Sequence, residues 1–169
     1  IKRKDMDSVL SCMVSDQIGP DRISRQLTDA VGGYLGRKGG VALREYPRAV
    51  ETALRALGVG EGSRVVGSAL LPDFYLDVLA ELGAEFIPAD VSEAAPVITP
   101  ESVQSALRGD GADTASADAL LVDTPLGYCA DLEGLAALGI PVVEDVSQGL
   151  GSHTGDRRAG SFGRFTVVG

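Results

Sequence analysis

Four short apolar runs, separated by stretches of helical periodicity, restrict what this chain can fold into more than any other feature. They are Arg64-Val65-Val66-Gly67, Glu85-Phe86-Ile87-Pro88, Ala119-Leu120-Leu121-Val122-Asp123 and Ile140-Pro141-Val142-Val143-Glu144. Runs of this length and branching read as strands buried on both faces, and the helical stretches between them give the βαβ rhythm of a parallel sheet. Helices are expected from about Pro72 to Leu82, from Thr99-Pro100-Glu101 to near Leu107, and from Asp131 to Leu138, with a polar surface loop over Gly109 to Ser116. Upstream, Met6, Val9, Leu10 and Met13 recur at helical spacing behind Asp5, and Gly19-Pro20 ends that helix. A second helix is expected over Arg22 to Tyr34, a short strand over Gly39 to Leu43, and a third helix over Arg48 to Leu57 opened by Pro47. Downstream, Gly149 to Gly163 reads as a loop and Arg164 to Val168 as a last strand.

The fourth run delivers Glu144 and Asp145 into a glycine-spaced loop ending at Gly151. In open α/β sheets ligands sit beyond the carboxyl ends of the strands, so Asp145 is the first candidate for chemistry, against the simpler reading of an acidic strand terminus. A chain of 169 residues, 44% of them hydrophobic, supports one domain with a core, here with an N-terminal helical segment over residues 1–36. The net charge of −9 disfavours a general nucleic-acid binder. No run spans a bilayer and no signal-peptide core follows Ile1-Lys2-Arg3-Lys4, so a soluble, cytoplasmic protein is expected. Cys12 and Cys129 show no metal-binding or disulfide spacing and are expected as small core residues. His153 in a Gly-rich loop and the Arg157-Arg158 pair read as solvated loop residues. The glycines at 58, 60 and 62 follow a helix and precede a strand, the reverse of a dinucleotide fingerprint.

Several strings, in order and spacing, resemble the N-terminal half of the DegT/DnrJ/EryC1/StrS family of sugar aminotransferases. They are Arg3 to Leu10, Tyr34-Leu35-Gly36-Arg37-Lys38, Ala53 to Gly62, Leu82-Gly83-Ala84 before Asp90-Val91, and Pro141-Val142-Val143-Glu144-Asp145-Val146-Ser147-Gln148 with Gly151, Gly155-Asp156-Arg157-Arg158 and Gly160-Ser161-Phe162-Gly163. The resemblance covers essentially the whole chain. It implies an α/β fold in which a mostly parallel sheet is sandwiched by helices, like the large domain of type I pyridoxal phosphate (PLP) transferases, stopping short of the lysine strand and the small domain. It also implies a homodimer and a nucleotide-sugar substrate, while the net charge and the lack of a spanning run lead to the expectation of no nucleic-acid or membrane partner.

By the same resemblance, Asp145 pairs with the pyridinium nitrogen of PLP, keeping it protonated so that the ring accepts electrons. Gln148 lies beside the ring hydroxyl. The family's Schiff-base lysine falls a few residues past Gly169, and Lys2, Lys4 and Lys38 do not match its place. Where the family holds the phosphate with Ser-Gly-Thr at a helix start, this chain has Arg44-Glu45-Tyr46-Pro47, which sets a carboxylate against the anion and removes an N–H. The ring-stacking aromatic is replaced by Ser68-Ala69-Leu70-Leu71-Pro72, with Phe74 and Tyr75 further along, and the His-x-Tyr-Gly string by Asp123-Thr124-Pro125-Leu126-Gly127. Three readings follow: a family domain that has lost PLP catalysis and persists as a scaffold, regulatory or dimerising domain; the N-terminal part of an active PLP-dependent sugar aminotransferase; and an unrelated doubly wound nucleotide-binding domain.

Overall fold

Strands β1 (Arg64–Ser68), β2 (Glu85–Ala89), β3 (Ala119–Asp123) and β4 (Val142–Asp145) form where the apolar runs predict them. The computed structural model describes residues 1–15, 19, 22–109 and 116–169. The expected loop over 110–115 and the helix stop at Pro20 lie outside the described residues. Packing divides the chain into two compact units, Ile1–Ala42 and Leu43–Gly169.

The first unit carries α1 (Arg3–Val14) and α2 (Arg22–Leu35). Asp5 does not itself precede the helix; it sits in the first turn, where its carboxylate accepts the Lys2 backbone N–H at 2.7 Å. No residue of α1 is buried, so its Met6, Val9, Leu10 and Met13 stripe is exposed. The expected strand over Gly39 to Leu43 is irregular chain. Two glycines weaken a strand entropically, and no ladder partner offsets that cost.

In the second unit, β7 (Phe165–Val167) joins the four strands in one all-parallel sheet of order β2-β1-β3-β4-β7. Helices α3 (Tyr46–Ala56) and α4 (Phe74–Leu82) cover one face, and α5 (Pro100–Gly109) and α6 (Leu132–Ala136) the other. The period-2 alternation of strand side chains sorts the core. Val65, Leu121 and Val143 pack with Val50, Leu54, Val78 and Leu79 on the α3/α4 face. Val66, Leu120, Val122 and Val142 pack with Val103, Leu107, Leu132 and Leu135 on the other. Gly83, at φ +69°, ends α4 in the left-handed conformation that glycine adopts without strain. The loop expected over Gly149 to Gly163 contains a two-residue hairpin, β5 (His153–Thr154) against β6 (Arg157–Arg158).

Candidate functional site

The strand order reverses between β1 and β3, which places a topological switch point, the usual ligand crevice of such sheets, at the carboxyl ends of β1, β3 and β4. The residues gathered there are Tyr46, Pro72, Tyr75, Asp123, Thr124, Pro125, Asp145 and Gln148. Sequence and topology thus agree on where to look.

Asp145 is the last residue of β4 and is 5% exposed. It faces α3 and α4, as Val143 does two residues earlier. Its Oδ2 accepts the hydroxyl protons of both Tyr46 and Tyr75, whose oxygens are 3.3 Å apart. Its Oδ1 accepts the Ser147 N–H at 2.9 Å. Tyr46 is the first residue of α3 and is half-buried; Tyr75, in the first turn of α4, is 2% exposed. Burial, and then the bond to Asp145, pushes the Tyr46 hydroxyl up to about 12. Burial and the Asp145 charge raise Tyr75 as well. Both therefore stay protonated as donors.

Glu144 points to the opposite face and is 1% exposed. Its Oε2 accepts the Gly160 N–H at 2.6 Å and its Oε1 accepts the N–H groups of Phe162, at 2.7 Å, and Gly163. Gly163 has no room for a side chain: a Cβ there would lie 2.8 Å from the Val142 carbonyl oxygen. So the acidic pair does more than end a strand: one carboxylate folds the following loop and the other faces the crevice.

Gln148 is exposed, and its Oε1 accepts the Leu126 N–H at 3.0 Å. It thereby holds the turn after β3, in which Leu126 adopts φ +54°. Thr124 Oγ1 donates to the Asp145 carbonyl at 3.0 Å, tying the ends of β3 and β4. In the string that replaces the ring-stacking aromatic, Leu71 packs into the α3/α4 core and Leu70 is exposed. His153 and the Arg157-Arg158 pair are exposed on the hairpin, with the Arg157 guanidinium 4.0 Å from the Phe162 ring centre. Cys12 and Cys129 are only partly buried; Cys129 packs against the α5/α6 core, whereas Cys12 sits on α1, which buries no residue, against the expectation of a core position.

Asp123, in the string that departs from the family's His-x-Tyr-Gly, lies opposite Asp145 in register. Burial, aided by the Asp145 charge, pushes its carboxyl up to about 6. A carboxyl raised on folding contributes stability below its unfolded pKa near 4, and this is lost as pH rises through 6. Asp123→Asn is therefore expected to gain about 2 kcal/mol on the parent between pH 4 and 7, an order-of-magnitude figure. Urea unfolding across that range tests it; a pH-independent difference between the two proteins would refute it.

The residues present do not fit a PLP ring in this arrangement. The crevice holds about 20 Å³, room for roughly one water, and both tyrosine hydroxyls engage the oxygen that a pyridinium N–H would seek. At the start of α3, Pro47 removes a donor and Glu45 precedes the helix, which leaves a poor phosphate seat.

The family model described as the DegT/DnrJ/EryC1/StrS aminotransferase family matches residues 1–169. Among solved structures, an aminotransferase from Psychrobacter cryohalolentis superposes with a TM-score of 0.83 at 24% identity, over 98% of this chain and 42% of its own. DesV of S. venezuelae, solved with a ketimine intermediate, gives 0.81 at 24%, over 94% and 43%. A DegT DnrJ EryC1 StrS aminotransferase from Brucella abortus gives 0.78 at 22%, over 95% and 44%. At these identities the likeness is one of fold. The chain spans less than half the length of each of these three proteins.

Proposed function

Since the chain belongs to the DegT/DnrJ/EryC1/StrS aminotransferase family, we propose that it is a sugar-aminotransferase-like domain whose PLP position is closed and that serves as a non-catalytic scaffold or dimerising module. One observation carries the reading: Tyr46 and Tyr75 both donate to the Asp145 oxygen that would face a cofactor nitrogen. Positions 45 to 47 support it independently, because the phosphate seat is altered in the sequence itself. A homodimer, a nucleotide-sugar ligand and a cytoplasmic location belong to the same proposal through family membership. Among the described residues no helix is long and apolar enough to cross a membrane.

A second reading is favoured by the coverage: aminotransferases of this fold are more than twice the length of this chain. On that reading the chain is the N-terminal part of an active enzyme, and Asp145 and Gln148 hold the cofactor once Tyr46 and Tyr75 have moved aside. Titration with PLP separates the two. The closed-site reading expects no change in cofactor absorbance or fluorescence on adding protein, and no adduct after borohydride. Saturable PLP binding that Asp145→Asn abolishes would overturn it in favour of the second.

A further inference from the structure

The two tyrosines on Asp145 are not equivalent. Tyr75 is built into the α3/α4 core and is 2% exposed. Tyr46 is half-buried at the start of a helix, preceded by irregular chain over residues 39–45. Its ring packs against Phe74, with centres 4.9 Å apart, and close to the Gly169 backbone, where a Cβ would come within 2.7 Å of Tyr46 Cδ2. One aromatic ring thus lies against an aromatic neighbour and glycine backbone, with its polar edge on a buried carboxylate.

We infer that Tyr46 is an intramolecular plug: its phenol occupies a slot that, once vacated, accepts a flat heteroaromatic carrying an N–H, such as a protonated pyridine or imidazole. This rests on the closed-site reading and goes further, assigning the closure to one side chain. Removing the phenol leaves a ring-sized hole, because close-packed surroundings collapse only partly around a deleted side chain. Its floor would be Asp145 Oδ2, still held on the far side by the Tyr75 hydroxyl. Asp123, Thr124 and Pro125 would line its rim. A carboxylate in that position favours a donor with partial or full positive charge over a hydrocarbon ring of the same size.

Titration of the chain, Tyr46→Ala and Tyr46→Phe with pyridoxine, imidazole and toluene, followed by amide chemical shifts and calorimetry, tests this. Tyr46→Ala should bind pyridoxine and imidazole at least tenfold more tightly than the parent chain, toluene should gain less, and the double variant Tyr46→Ala with Asp145→Asn should lose the gain. Tyr46→Phe, which keeps the ring in place, should behave as the parent. A folded Tyr46→Ala with no gain, or a gain indifferent to Asp145→Asn, would overturn the plug. If Tyr46→Ala does not fold, Tyr46→Leu withdraws the hydroxyl and the planar ring, and the tenfold gain is then required for imidazole. PLP binding by the unaltered chain sinks the closed-site reading, whereas a parent without binding and a variant with no gain sink only the plug.

Discussion

Glu144→Ala is expected to cost the fold about 3–5 kcal/mol and to lower its thermal midpoint by roughly 6–20 °C. The carboxylate is 1% exposed and accepts three backbone N–H groups, from Gly160, Phe162 and Gly163. Alanine would leave those donors in a space that water does not readily enter, and each orphaned group carries a desolvation penalty of about 1–3 kcal/mol. Part of this is recovered if the loop relaxes, which sets the lower figure. Glu144→Gln should lie between, since the amide keeps one acceptor oxygen but turns an NH2 toward N–H donors. Thermal melts and urea unfolding measure both; a Glu144→Ala melt within a degree or two of the parent would show that the loop holds itself.

The next largest effect is expected at Asp145→Ala, about 3–4 kcal/mol: hydrogen bonds to a charged acceptor contribute roughly 1.5–3 kcal/mol each and three donors converge there, but water recovers part of the loss at half-buried Tyr46 and the carboxylate's own desolvation cost is removed. Tyr75→Phe should cost more than Tyr46→Phe, since solvent reaches only the half-buried Tyr46. Replacing all three, as Asp145→Ala with both tyrosines changed to Phe, should recover stability relative to Asp145→Ala alone, because no buried hydroxyl is then left without an acceptor. Urea unfolding of the set as a mutant cycle isolates the coupling; strict additivity of the single changes would refute the shared acceptor. The pH sign is fixed by the raised tyrosine hydroxyls. Their contribution is complete below the usual value of 10 and is lost as pH rises past it, through about 12 for Tyr46.

How much of this was legible in the sequence depends on the range of the interaction. Val65 with Val66, Leu120 with Leu121 and Val142 with Val143 announce strands covered on both faces, and the helices between them follow from local periodicity. The short strand expected over Gly39 to Leu43 fails because a strand needs a partner that apolar letters cannot supply. The position of Asp145 at the carboxyl end of a buried strand was legible, and the family resemblance marked positions 44 to 47 as altered. That Tyr46 and Tyr75 meet on Asp145 was not, since they lie 99 and 70 residues away and nothing in local spacing joins them. Glu144 was legible as acidic but not as buried, because the N–H groups of Gly160, Phe162 and Gly163 whose bonds it accepts are backbone donors and carry no residue-type signal. Gln148 was singled out through the resemblance, and its bond to the Leu126 N–H belongs to a turn whose left-handed residue is not a glycine.

The span of the Asp145 clasp bears on the lifetime of the molecule. Closing a loop of 99 residues is entropically costly, and a hydroxyl reaches the carboxylate only after β4 has docked in register on β3 and α3 has settled on the sheet. Such a contact is made late, so its energy falls mainly on the barrier to unfolding. The parallel sheet makes assembly slow, because β1 must wait for residues 119 and 120 before it gains its second neighbour. Assembly rate is thus set by strand topology, while the two hydroxyl groups on one buried oxygen, beside the Glu144 contacts, slow the loss of the assembled state.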